Sequence, residues 1–130
     1  MYRVPVNSDS APAAAGPYSH AVRVTGELLF ISGQIALDAA SGELVGDTPA
    51  EQARKCLENL QTIAGDAGSS LEDAVKVTVY LTDIGAFDQV NEVYSSFFRR
   101  NGEPARVALA VAALPKGAQV EIDAVVAVGA

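Results

Sequence analysis

The sequence predicts a single α+β domain over residues 1–130, in which a mixed β-sheet carries two helices on one face. One observation behind this prediction is the length of 130 residues, which is near the usual size of one domain. A second is that short apolar runs alternate with two stretches of helical periodicity, in the order β-β-α-β-α-β-β. A third is that no internal repeat, low-complexity tract or linker divides the chain. Two strand–helix–strand units place both helices on the same side of the sheet.

The N-terminal segment predicts an arm followed by a hairpin. Residues 1–17 are expected to form the arm, because their second half is rich in Pro, Gly and Ala. Residues 21–24 and 28–32 are apolar runs separated by a tight turn at Gly26, a pattern typical of two paired strands. The glycine at position 33 follows directly, where it allows another group to come close to the backbone.

The first helix has a clear start. Thr48 can cap it, Pro49 suits the first helical position, and Glu51 completes a capping box. Apolar residues then recur at helical spacing, and Gly65 or Gly68 is expected to end the helix. These apolar residues are Ala50, Ala53, Leu57, Leu60 and Ala64.

A β-branched strand over residues 74–81 precedes the second helix, which is expected to run from about Ile84 to Arg100 after a Thr82–Asp83 cap. Its apolar face consists of Phe87, Val90, Tyr94, Phe97 and Phe98. Asn91 falls on this same face, and a buried amide must find partners. It either ties down a neighbouring loop or contacts a ligand, and the sequence leaves both interpretations open.

The C-terminal quarter reads as two apolar strands, residues 106–113 and 119–126, joined by a short turn. Arg106 opens the first and Glu121 lies near the start of the second. Beside a buried sheet these charges need partners, so they either form structural ion pairs or reach solvent, or they line a pocket as a carboxylate-binding fork and an acid/base group. As a simple hairpin, the strands would separate the two residues by about 17 Å, so convergence requires different pairing or two subunits.

Composition narrows the class of protein. The net charge is −7, from 9 basic and 16 acidic residues, which argues against sequence-independent binding of nucleic acid. Hydrophobic residues make up 49% of the chain, which is high for a small domain and predicts that the uncovered sheet face packs in a homo-oligomer. With one Cys and one His, an intrachain disulfide and a clustered Cys/His zinc site are excluded. Neither a signal peptide nor an 18-residue apolar segment is present, so a soluble, cytoplasmic protein without membrane contact is expected.

Taken together, several ordered segments resemble the RidA/YjgF family of enamine/imine deaminases, from about Ala11 to Val126. They are Gly16-Pro17-Tyr18-Ser19, Phe30-Ile31-Ser32-Gly33-Gln34, Glu51-Gln52 with Asn59, Val75-Lys76-Val77-Thr78-Val79, Val90-Asn91 with Tyr94 and Phe97-Phe98, Pro104-Ala105-Arg106, Leu114-Pro115 and Val120-Glu121-Ile122. The resemblance implies a chorismate-mutase-like fold, assembled as a homotrimer with clefts between subunits. It also implies hydrolysis of reactive 2-enamino and 2-imino acids, such as 2-aminoacrylate, to 2-keto acids and ammonia, which protects pyridoxal-phosphate enzymes.

By this resemblance, Arg106 grips the substrate carboxylate, and Glu121 positions and activates water. A guanidinium suits the first task because it is always charged and can bind in a bidentate manner. The other cleft residues implied are Tyr18, Ser32, Gly33 and Asn91. The resemblance implies no metal and no cofactor, in agreement with the single His and Cys.

The sequence departs from the family pattern at three positions. His20 stands where many members have Gln, while Val107 and Ala108 replace a small polar residue and a Cys, which puts substrate preference in doubt. Two other functions remain open: a non-catalytic trimer that binds carboxylate metabolites, and an RNA-directed translation inhibitor or ribonuclease. A chorismate mutase activity is suggested by fold alone.

Overall fold

The computed structural model describes residues 2–129, which form an α+β fold with a mixed sheet, as predicted. The elements are β1 (Tyr2–Val6), β2 (Ala21–Thr25), β3 (Leu28–Gln34), α1 (Pro49–Asp66), β4 (Ala74–Leu81), α2 (Phe87–Ser95), β5 (Ala105–Ala110) and β6 (Val120–Ala127). The main sheet has the strand order β3-β6-β4-β5, whereas β1 and β2 form a separate two-stranded sheet.

The two faces of the main sheet differ in burial. α1 packs against β3 and β6 and lies beside α2, so one face is covered by helices. Along β4 the covered side chains are Val77, Val79 and Leu81, each almost completely buried. The alternate residues of this strand, Lys76, Thr78 and Tyr80, point to the other face, because successive side chains of a strand alternate. We call this second face the open face.

Both expected hairpins are wrong. β2 pairs with β1, and β3 pairs with β6, so the turn at Gly26 joins strands of different sheets. β5 and β6 do not pair either, because β4 lies between them, parallel to β5 and antiparallel to β6. The chain passes from β4 through α2 to β5, and this strand–helix–strand connection places β5 parallel to β4. Each strand pairs where its apolar side chains are best buried, which is not beside its nearest neighbour in the sequence.

The predicted start of α1 is confirmed, while α2 is shorter than expected. Thr48 Oγ1 accepts a hydrogen bond from the Glu51 amide at 3.1 Å, and α1 ends before Gly68, whose φ is +78°. A 3-10 turn precedes α2, and α2 ends at Ser95. The Ser95 and Ser96 hydroxyls bond the backbone carbonyls three residues earlier, which satisfies acceptors at the helix end.

The N-terminal segment contains a strand, β1, that the sequence analysis did not predict. Arg3 on this strand donates to the backbone carbonyls of Ala74 and Gly102, at 2.7 and 2.8 Å from Nη2, which ties the β1–β2 sheet to the ends of the main sheet. Across residues 2–129, no helix is both long enough and apolar enough to cross a membrane. The cytoplasmic location stays a prediction.

Candidate active site

Arg106 lies on the helix-covered face, in the edge strand β5. Its register partner on β4 is Val77, which is fully buried beneath the helices, and cross-strand partners project to the same face. The guanidinium therefore reaches towards α2, where Nη1 donates a hydrogen bond of 2.6 Å to Asn91 Oδ1. Two of the predicted site residues, Asn91 and the carboxylate-binding Arg106, are therefore in direct contact.

Three aromatic rings surround the Arg106 guanidinium. The ring centroids of Tyr94, Phe87 and Tyr18 lie 4.8, 5.5 and 5.7 Å from its Cζ atom. Each distance is within the range of cation–π attraction. Burial lowers the pKa of Arg106 from its ordinary value, and the two tyrosines act in the opposite direction. The group nevertheless stays charged, because an arginine pKa starts far above neutrality.

No carboxylate neutralises this charge. In the part of the chain that the structure describes, the ion pairs are formed by Arg99 with Glu72 and Asp73, and none involves Arg106. A half-buried cation with aromatic neighbours and a single neutral hydrogen-bond partner is costly unless an anion joins it. The arrangement is therefore suited to binding a small anion.

Tyr18 reaches this site from the loop that precedes β2. Ser19 anchors the loop, because its Oγ donates to the Glu103 carbonyl at 2.6 Å and its amide donates to the Pro104 carbonyl at 3.2 Å. The Tyr18 hydroxyl accepts a hydrogen bond from the Ala15 amide at 3.2 Å. These bonds hold the tyrosine ring beside the start of β5.

A second group of predicted residues lies on the open face. Glu121 pairs with Tyr80 across β6 and β4, and Tyr80 faces away from the helices. The register of β3 shifts between Ile31 and Gln34, and this bulge carries Ser32 and Gly33, both of which are exposed. A Cβ atom built on Gly33 would overlap the Glu121 carboxylate and would lie 2.9 Å from its Cδ atom, so only glycine lets the two come this close.

One chain does not bring the two groups together. Their register partners on β4, Val77 for Arg106 and Tyr80 for Glu121, are three residues apart, so the two side chains leave the sheet on opposite faces. The offset along the strand adds about 10 Å. The sequence analysis expected that a different strand pairing could bring Arg106 and Glu121 together. The observed pairing is different from a hairpin, but within one chain it leaves the two side chains apart.

Sequence reasoning missed three residues of the Arg106 group as site residues, namely Gly16, Phe87 and Tyr94. The signal for two of them is present in the sequence, because Phe87, Asn91 and Tyr94 are spaced by four and three residues and must share one helix face. Gly16 shows no such periodicity. Its closeness to Arg106 depends on the loop that Ser19 anchors.

Cys56 and a cavity between the two helices lie outside both groups of predicted site residues. Cys56 is fully buried on α1, and burial raises the pKa of its thiol to about 12, so the thiol stays protonated and inert at neutral pH. A cavity of about 570 Å³ between α1 and α2 is lined by residues such as Arg54 and Asp88 and by none of the predicted site residues. Residues 2–129 contain no group of three or more His, Cys, Asp or Glu side chains placed to bind a metal ion.

Comparison with known proteins defines the family. Residues 8–128 match the profile of the family described as Endoribonuclease L-PSP, which covers almost the whole chain. The chain belongs to this family, RidA/YjgF. A human relative named 2-iminobutanoate/2-iminopropanoate deaminase is 46% identical over 125 residues, covering 96% of this chain and 90% of the relative.

Solved structures of RidA/YjgF proteins have the same fold. RidA from an Antarctic Psychrobacter matches with a TM-score of 0.75 and 43% identity, over 95% of this chain and 98% of that one. E. coli TdcF, solved with bound serine, matches with a TM-score of 0.71 and 40% identity, over 94% and 96% of the two chains. Names within the family therefore include both a deaminase and an endoribonuclease.

Proposed function

We propose that this protein hydrolyses 2-enamino and 2-imino acids, such as 2-aminoacrylate, to 2-keto acids and ammonia. The observation that carries the proposal is the half-buried Arg106 guanidinium, which has aromatic neighbours and no carboxylate partner in residues 2–129. Substrates of this class all carry a carboxylate, which a guanidinium can bind through two parallel hydrogen bonds. The biological role would be to remove reactive intermediates that damage pyridoxal-phosphate enzymes.

The proposed reaction uses water as the only co-reactant. The enamine tautomerises to the imine while Arg106 holds the carboxylate. Glu121 removes a proton from water as the oxygen forms a bond to the imine carbon, the C=N π electrons move to nitrogen, and Glu121 passes that proton to the nitrogen, which gives a tetrahedral adduct with one hydroxyl and one amino group. Glu121 then moves the hydroxyl proton to the nitrogen, the C=O double bond forms as the C–N bond breaks, and ammonia leaves the 2-keto acid. Because 2-imino acids already hydrolyse in water, positioning and modest electrostatic stabilisation suffice.

The proposed site needs two copies of the chain, one supplying Arg106 and the other Glu121. Support comes from the opposite faces of these residues within one chain. It also comes from the apolar side chains exposed on the open face, where Phe30 is 73% exposed and Val107 and Leu109 are also accessible. An exposed apolar surface of this kind favours packing against another subunit. We propose a homotrimer, with the clefts between subunits.

Two relatives agree with this chemistry. The human relative carries the name of an imine deaminase, and the E. coli structure contains serine, a small molecule with a carboxylate. The net charge of −7 weighs against the ribonuclease activity in the family description, because RNA binding relies on basic side chains.

The test uses 2-aminoacrylate generated by a coupled dehydratase, with keto-acid and ammonia release measured against the rate in buffer. Arg106→Ala should lower kcat/KM by about 100-fold or more, because two charge-assisted hydrogen bonds are lost. Arg106→Lys is the matched control, since it keeps the charge without the fork and should recover only part of the loss. Size-exclusion chromatography should show an unchanged oligomer in both variants.

The result that contradicts the proposal is a wild-type rate for Arg106→Ala. If the wild-type protein binds 2-keto acids through Arg106 but does not accelerate deamination, the protein is a carboxylate-binding module instead. Micromolar, salt-dependent RNA binding would favour the nucleic-acid function.

A further inference from the structure

The side-chain amide of Asn91 has a forced orientation. A guanidinium can only donate hydrogen bonds, so the atom 2.6 Å from Arg106 Nη1 must be the carbonyl oxygen Oδ1. The Nδ2 donor therefore lies on the other branch of the amide. No acceptor within residues 2–129 bonds this Nδ2 group, and none bonds Arg106 Nε or Nη2.

The free donors meet beside Gly16. A Cβ atom built on this glycine would lie 3.3 Å from Arg106 Nη2, 3.7 Å from Asn91 Nδ2 and 3.8 Å from Tyr18 Cδ2. The φ angle of Gly16 is outside the left-handed region, so its backbone conformation does not require glycine. What the glycine provides is space, at the point where two donors without acceptors and one aromatic ring converge.

We propose that Gly16 is a specificity-determining residue, which keeps open a seat for one carboxylate oxygen between Arg106 Nη2 and Asn91 Nδ2. The flat sp² α-carbon of a 2-imino or 2-keto acid then rests against the Tyr18 ring. This proposal rests on the proposed function and assigns the orientation of its substrate.

The test measures 2-oxobutanoate binding by isothermal titration calorimetry and, separately, deamination kinetics. Gly16→Ala should weaken 2-oxobutanoate binding by about 10- to 100-fold, because a methyl group fills the seat and a charge-assisted hydrogen bond is lost. Gly65→Ala is the matched control. No atom lies within 4 Å of the added Cβ at that position, so affinity and turnover should stay at the wild-type level.

A second variant guards against misfolding of the first. Asn91→Asp is isosteric and can pair with Arg106, so the fold should persist, but its second carboxylate oxygen replaces the donor of the seat. Binding of 2-oxobutanoate should weaken at least as much as in Gly16→Ala. Thermal unfolding and size-exclusion chromatography check both variants, and Asn91→Asp decides the matter if Gly16→Ala does not fold.

The outcomes separate this proposal from the proposed function. Wild-type affinity in folded Gly16→Ala or in Asn91→Asp overturns the seat, even if the wild-type protein deaminates. Failure of the wild-type protein to bind 2-oxobutanoate overturns it as well. If the wild-type protein binds 2-oxobutanoate without accelerating deamination, and the variants lose that binding, the seat stands and the deaminase function fails.

Discussion

The Arg106 Cζ atom lies over the Tyr94 ring, 4.8 Å from the ring centroid. The ring also packs on Phe98, at 4.7 Å between centroids, and the residue is 0% exposed. An aromatic ring attracts the cation without using its N–H donors, which stay free for hydrogen bonds. The ring therefore acts as a platform, while the Tyr94 hydroxyl is buried without a protein hydrogen-bond partner in residues 2–129.

Replacing Tyr94 with Phe should keep the platform and remove the unsatisfied hydroxyl. The free energy of unfolding should rise by about 1–3 kcal/mol, the usual cost of a buried polar group without a partner. Chemical denaturation measures it, and Tyr80→Phe is the control. Tyr80 donates to Asp123 at 2.9 Å, so that variant should lose stability. A Tyr94→Phe protein less stable than wild type would show that the hydroxyl has a partner, such as a buried water.

The same substitution should change the response to alkaline pH. Burial raises the pKa of the Tyr94 hydroxyl above its ordinary value, and the Arg106 charge opposes this shift. Because the folded-state pKa is higher than the unfolded one, the associated stability is present below pH of about 10 and is lost as pH rises towards the folded-state value. The stability difference in favour of Tyr94→Phe should therefore widen above pH of about 10.

His20 forms hydrogen bonds that hold together the segment preceding β2. The Ser8 amide donates to His20 Nδ1 at 3.0 Å, so Nδ1 carries no proton and Nε2–H donates to the Pro12 carbonyl at 2.7 Å. The His20 amide also donates to Asn7 Oδ1 at 2.9 Å. The loop held by these bonds carries Tyr18, so His20 positions a part of the Arg106 site without touching it.

A side chain with one acceptor and one donor should be able to replace His20. A glutamine amide offers both, so His20→Gln should keep the wild-type KM, whereas His20→Ala should raise KM several-fold with a smaller change in kcat. Loss of the two ring hydrogen bonds should also lower the free energy of unfolding by about 1–3 kcal/mol. Steady-state kinetics and denaturation measure these effects. Equal KM values in the Ala and Gln variants would exclude a positioning role.

The whole molecule exposes apolar side chains such as Phe30 on the open face and places Arg106 and Glu121 on opposite faces of the sheet. Glu121 and the β3 bulge lie on the open face, and Arg106 lies under α2 on the other face. In a closed ring of identical subunits, each interface repeats the same contacts, so every subunit can give Arg106 to one cleft and Glu121 to the next. In such a ring, catalysis requires that the subunits associate.

Mixed oligomers test this arrangement directly. Arg106→Ala and Glu121→Gln should each be inactive alone, but co-refolding them in equal amounts should restore activity at about one site in four if assembly is random. The same mixture without co-refolding is the control. No recovery, despite confirmed mixed oligomers, would mean that both residues act within one chain, and full activity of either variant alone would mean that the replaced residue has no role.

The sequence by itself determined most of the helices and strands and part of the Arg106 group. Local periodicity is a property of neighbouring residues, so the Thr48 cap, the β-branched strand and the shared helix face of Phe87, Asn91 and Tyr94 could be read directly. The hydrogen bond between Arg106 and Asn91 forms because β5 lies beside β4, where its side chains reach α2.

Only the tertiary structure decided which strands pair and which face each charged residue occupies. Strand partners are chosen by the fit of apolar faces far apart in the sequence, and β6 enters between β3 and β4 for this reason. That single choice places Glu121 on the open face and Arg106 beneath the helices. The local sequence pattern favours a hairpin between residues 106–113 and 119–126. Packing between residues far apart in the sequence places β4 between these two strands instead.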